Sequence, residues 1–102
     1  MLELRPTCEH CNEPLPPDSV EARICSFECT FCAACAEGVL GNVCPNCAGG
    51  FERRPIRPQT NWKHDNCLGM HPASTKVHHR PVDVTVHAEL VERIGTLPPA
   101  RR

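Results

Sequence analysis

Eight of the nine cysteines in this 102-residue chain fall between residues 8 and 47, in the order Cys8-x2-Cys11-x13-Cys25-x3-Cys29-x2-Cys32-x2-Cys35-x8-Cys44-x2-Cys47. Three pairs, Cys8/Cys11, Cys32/Cys35 and Cys44/Cys47, share the C-x-x-C spacing. A turn of that length can aim both sulfurs at one ion, because tetrahedral ligands on Zn–S bonds of about 2.3 Å sit only roughly 3.7 Å apart. Backbone N–H groups of the same turn can donate to the thiolates and ease their charge. Eight thiolates make two four-cysteine sites, the closed coordination of structural zinc, with no position left for a water that could react. Disulfides fit less well. The count is odd, and the opening "MLELRPTC" has neither the basic end nor the apolar run of a secretory signal. A cytoplasmic address is therefore expected, where thiols stay reduced and dense cysteine points to metal.

Two pairings use all eight ligands. A sequential scheme groups Cys8, Cys11, Cys25 and Cys29, then Cys32, Cys35, Cys44 and Cys47. A cross-brace instead puts Cys8, Cys11, Cys32 and Cys35 on one ion and Cys25, Cys29, Cys44 and Cys47 on the other. The cross-brace is preferred on physical grounds. "CAEGVLGN" reads as a short helix with Cys32 and Cys35 at its start, where thiolates meet unsatisfied N–H groups and the positive end of the helix dipole. Pro45 stiffens the last turn and removes a donor from it.

A second constellation follows in His64, Cys67, His71, His78 and His79. Cysteine and neutral imidazole both ligate zinc, and "HDNC" has knuckle-like spacing, so His64, Cys67, His71 and one of His78 or His79 form a candidate third site. Two zinc ions are thus expected, with a third as the open question. The spacing matches no stereotyped finger, and solvated histidines with a small buried thiol at Cys67 explain the same residues. A Cys67/His71 nucleophilic pair has no identifiable orienting third group.

The elements that must hold these ligands are short. Four aromatic residues and eleven prolines leave little for an apolar core, and a chain this small needs a staple. Residues 1–50 read as the cysteine-rich domain and 51–60, "FERRPIRPQT", as an extended, solvated connector. Residues 61–102 read as a His/Cys-containing arm. The last segment predicts a helix at about 83–95, with Asp83 as N-cap and Pro98-Pro99 as the stop. Its Val86, Leu90 and Ile94 stripe is a docking face for this chain or for a second copy, a route to a homo-oligomer. Trp62, the only tryptophan, is expected to anchor the arm to the domain. No apolar run is long enough to span a membrane. Charge divides along the chain, net −5 over residues 1–50 and net +4 over 51–102. The cysteine-rich half being acidic argues against nucleic acid as partner.

The ligand order resembles a RING-type zinc finger, with Cys29 where that family most often has histidine. "ECTFCAACAEGVLGNVCPNC" carries its fourth to sixth ligands, helix and final C-P-x-C. The chain more closely resembles a small bacterial family, domain of unknown function 1272, on "MLELRPTCEHC", "LPPDS", "ICSFECTFCAACAE" and "GNVCPNCAG". The resemblance implies a RING-like, treble-clef, cross-brace fold and no particular activity. RING ligases engage their conjugating enzyme through apolar residues in the first knuckle and helix, a proline in the last pair and a basic residue after the eighth ligand. Pro45, Val39 and Leu40 suit that contact, but Glu9, His10 and Ala48 do not.

The expected molecule is a small metal-stabilised α+β protein. It combines a RING-like cross-brace with an extended, His-rich C-terminal arm ending in a short helix. Its expected role is a zinc-dependent protein-interaction module with a protein partner and no catalysis of its own. The alternatives are a zinc-dependent enzyme, either ubiquitin-ligase-like or a hydrolase using a third tail metal, and a zinc or redox buffer.

Overall fold

The computed structural model describes residues 1–102. Strands β1 (Ala22–Ile24) and β2 (Thr30–Cys32) form an antiparallel hairpin in which Arg23 faces Phe31. Strand β3 (Glu52–Arg53) pairs antiparallel with the other edge of β1, giving the order β2-β1-β3. The turn between β1 and β2 carries Cys25 and Cys29. Glu28, at φ 69°, bends it so that Cys25 N–H reaches the Cys29 carbonyl at 3.1 Å. Left-handed backbone at a glutamate costs free energy, and this turn tolerates it because both ends are fixed in the hairpin.

After β2 the chain enters a six-residue π-helical turn, Ala34–Val39, where an α-helical start was expected. The Leu40 N–H bonds to the Cys35 carbonyl at 2.8 Å, a five-residue step, and the Asn42 N–H reaches back to Ala36. The wide turn ends at Gly41, whose φ of +59° reverses the chain toward Cys44.

Six of the twelve residues in the packed core are cysteines, interleaved with Leu15, Ala22, Phe31, Ala36, Leu40 and Phe51. Phe31 and Phe51 meet edge to face with centroids 5.4 Å apart. Sulfur therefore occupies half of the only core, and the apolar remainder is too small to hold a chain of this length alone.

Residues after β3 wrap around this core. Arg54 is 1 % exposed and donates to the carbonyls of Arg5, Leu15 and Pro16. Arg57 donates to the carbonyls of Leu2 and His71. Two arginines of the run read as solvated thus fasten the N-terminal segment, because its loops offer carbonyls that no strand satisfies. An extended strap follows, with Ser74 N–H on the Leu4 carbonyl, Arg80 N–H on the Glu9 carbonyl and Val82 N–H on His10 Nδ1.

Helix α1 covers Val84–Ile94, and the Asp83 carboxylate accepts from the N–H groups of Thr85 and Val86. Its inward face differs from the apolar stripe. Val86 is exposed, whereas His87 is buried with Nε2 2.9 Å from the Leu40 carbonyl. Leu90, Val91 and Ile94 are half-buried beside it. A count of apolar residues passes over a histidine whose polar tip finds a partner inside. The helix packs on Gly41, where a β-carbon would stand 3.1 Å from Val91 Cγ1. Trp62 is 81 % exposed and anchors nothing; it sits on a loop closed by the Leu68 N–H on the Pro58 carbonyl.

Candidate metal centre

The two C-x-x-C turns at the ends of the cysteine run have the same construction. Asn12 and Ala48, each directly after the second cysteine, adopt φ of 64° and 66°. Their N–H groups close onto the carbonyls of Cys8 and Cys44 at 2.9 and 2.8 Å. This reversal leaves N–H groups inside the turn pointing at sulfur, as the Gly49 N–H does toward Cys47 Sγ at 3.4 Å. The hairpin turn does the same with the Phe27 N–H, 3.3 Å from Cys25 Sγ.

Four sulfurs converge in the first group. Those of Cys8, Cys11, Cys32 and Cys35 all lie within 4.8 Å of one another, and Cys11 Sγ is 3.8 Å from Cys32 Sγ. That spacing suits the edge of a tetrahedron with metal–sulfur bonds of about 2.3 Å. Cys8 comes from the first turn, Cys32 from the end of β2 and Cys35 from the π-helical turn. Burial raises the Cys8 pKa, but the backbone N–H groups of Cys11, Cys32 and His10 outweigh it and hold the thiol below its ordinary value. Burial pushes Cys35 strongly upward, reinforced by the Cys32 thiol and by charge on Cys8. Cys11 moves up as well, chiefly by burial. The Cys8 sulfur is therefore well solvated by amides, whereas Cys11 and Cys35 resist ionising until a cation joins them.

In the second group the sulfurs of Cys25, Cys44 and Cys47 lie within 4.8 Å of one another. Cys29 neighbours Cys25 but stands outside that set, with the Asn46 side-chain amide donating to its sulfur at 3.4 Å. Burial raises both Cys29 and Cys44. For Cys44 the N–H groups of Asn46 and Cys47 oppose the shift without reversing it. Cys29 also lines a groove of about 750 Å³ between the strap, α1 and the Pro45–Asn46 turn.

All-sulfur donor sets of this size fit zinc, whose closed sites are tetrahedral and rich in thiolate. The tail residues behave differently, and no three of His64, Cys67, His71, His78 and His79 converge within 4.8 Å. His78 Nε2 instead lies 3.3 Å from a Glu3 carboxylate oxygen, and His79 Nε2 lies 3.2 Å from the His10 carbonyl. Cys67 is buried, with its carbonyl accepting the His71 N–H. His78 and His79 thereby help fasten the strap to the N-terminal segment.

Two contributors to the site carry no sequence signature. Glu9, inside the first turn, is buried and accepts from Arg5 at 2.9 Å and from the Thr30 N–H, tying that turn to β2. Asn46 is the second. A polar residue between ligand cysteines reads as solvent-exposed until the fold supplies its partner.

Residues 1–57 match the model of the family described as "Protein of unknown function (DUF1272)". The chain belongs to that family. A relative from Rhizobium meliloti (strain 1021), itself named as uncharacterised, is 57% identical over 75 residues, covering 74% of this chain and 82% of that protein. The match to the family model ends at Arg57, the residue that reaches back to the Leu2 carbonyl. No solved structure matches the chain significantly.

Proposed function

We propose that this member of the family is a zinc-stabilised protein-interaction module of the cytoplasm, holding two structural zinc ions and doing no catalysis of its own. In this reading Cys8, Cys11, Cys32 and Cys35 hold one ion in a cross-brace. Cys25, Cys44 and Cys47, completed by Cys29, hold the other. The observation that carries the reading is the convergence of the first four sulfurs from segments more than twenty residues apart, with spacing suited to zinc. A structural zinc contributes about 10–16 kcal/mol of apparent binding free energy in finger peptides, comparable to the whole stability of a small domain. The interaction role draws on the exposed Trp62 and Met70, which share the loop after β3, and on Phe27 at the hairpin turn. Large apolar side chains held outward on a small protein suit the centre of a partner interface.

Native mass spectrometry of the intact chain tests the metal reading by counting zinc, with circular dichroism recorded before and after a chelator. Two ions per chain and collapse of the fold on their removal are expected. A chain that keeps its fold with no metal bound would sink the proposal.

A further inference from the structure

The strap that crosses the N-terminal segment runs without turn or bend from residue 72 to residue 83. Its amides divide by position. Those of Ser74, Arg80 and Val82 bond to Leu4, Glu9 and His10, and all three are even-numbered. Those of Thr75, Val77 and His79 meet no protein group, and no carbonyl from Thr75 to Val82 accepts a bond. In an extended chain successive N–H groups point to opposite edges, so one edge of the strap is fastened and the other is bare.

The strap is also one wall of the groove of about 750 Å³, with α1 as another. Apolar side chains are held outward there: Val77, Pro81 and Val86 are exposed, and Val82 and Leu90 are half-buried. The groove has a charge preference as well. Arg5 lines it but is engaged by Glu3 and Glu9. Lys76 and Arg80 line it, are exposed and take part in no ion pair. The acids present are occupied: Glu9 accepts from Arg5 and Thr30, and Asp83 caps α1. Lys76 and Arg80 stand four positions apart on an extended chain, hence on one face and about 13 Å from each other.

We propose that this groove docks an extended, acidic segment of a partner protein, which pairs with the bare edge of the strap as an added strand. Acidic residues at alternate positions of that segment meet Lys76 and Arg80, and apolar residues between them pack on Val86 and Leu90. Backbone pairing supplies affinity, and the two unpaired cations choose the partner. A second copy of this chain fits less well, because pairing strap to strap sets lysine against arginine. The proposal names the partner chemistry of the interaction module and rests on that reading.

The probe is a fluorescein-labelled heptapeptide alternating glutamate and valine, with glutamate at both ends, added to the zinc-loaded full-length chain. Fluorescence anisotropy should show saturable binding that weakens as salt is raised. Lysine in place of glutamate, or N-methylation of three consecutive central amides, should each weaken binding at least about tenfold. Lys76→Glu combined with Arg80→Glu should do the same while native mass spectrometry still counts two zinc ions. The Val77 and His79 amide resonances should shift on binding of the glutamate peptide. Equal binding of the lysine or N-methylated peptide overturns the proposal, as does displacement of the probe by tripolyphosphate at equal concentration. No binding to a chain that carries two zinc ions overturns it too. A chain that stays folded without zinc sinks the module reading beneath it instead.

Discussion

In the first cysteine group four sulfurs meet, one of them cradled by three amides, and Glu9 locks the turn to β2 through Arg5 and Thr30. In the second, built on a turn of the same backbone conformation, three sulfurs meet within the same distance, and Cys29 sits beside Cys25 with the Asn46 amide on its sulfur. The difference lies in what surrounds the turns. The first group draws ligands from a strand end and a packed π-helical turn, elements with little freedom. The second draws Cys29 from the end of a hairpin turn, where the Asn46 side-chain amide donates to its sulfur. Identical ligand chemistry is thus held mainly by a strand end and a packed turn in one group and by loops in the other.

The largest effect should come from separating the two groups by mutation. Cys35→Ser is expected to cost one zinc and, with it, the ordered hairpin, since a structural zinc carries about 10 kcal/mol or more of apparent free energy. Cys47→Ser should also cost one zinc, but leave the β1–β2 pairing and the first group intact. Zinc counts with amide hydrogen exchange on residues 22–32 compare the two directly. Equal loss of protection in both variants would erase the distinction.

Acidity should act on both groups with one sign. Burial holds the Cys35 and Cys44 thiols well above their ordinary value, so protons compete with zinc for these sulfurs. Zinc binding displaces those protons, and the stability it confers is lost as pH falls. Each proton displaced should change apparent zinc affinity about tenfold per pH unit. Chelator competition between pH 6 and 9 measures this. An affinity flat across that range would mean that these thiols are not the ligands.

A smaller effect tests the layer outside the sulfur. Arg54→Ala should destabilise the zinc-loaded chain by about 3 kcal/mol, since three carbonyls of the N-terminal segment lose a charged donor. Arg54→Lys should recover only part of it, because an ammonium lacks the planar fork that spans Arg5, Leu15 and Pro16. Thermal unfolding reads both. The zinc count should stay unchanged, separating this fastening from the metal groups.

The sequence made some of this legible and hid the rest for physical reasons. C-x-x-C spacing marks the thiols that a tight turn can bring together, and Asp83 before "VTVHAEL" marks a helix start, because both signals are local. The inward face of α1 includes His87, which apolar periodicity does not mark, because its burial depends on the Leu40 carbonyl forty-seven residues away. Arg54 is hidden in the same way, its partners being carbonyls of Arg5, Leu15 and Pro16 far back in the chain. Asn46 reaches the Cys29 sulfur through a contact between two turns that no spacing rule encodes.

The smallest expected effect concerns the ninth cysteine. Cys67 shares ligand chemistry with the other eight, and its neighbours His64 and His71 made it a candidate third centre. Its surroundings are those of a packing residue: it is buried, its N–H bonds to the Asp65 carbonyl, and its carbonyl accepts from Met70 and His71. His78 is spent on Glu3 and His79 on the His10 carbonyl. Cys67→Ser should therefore leave the zinc count at two and lower stability by about 1 kcal/mol, the cost of a hydroxyl in a thiol's place. Native mass spectrometry decides the count and thermal unfolding the cost. A fall by one whole equivalent would instead make the tail a metal site and require His64 and His71 to turn toward Cys67. The contrast between the two cysteine groups would then extend to a third centre of mixed ligands.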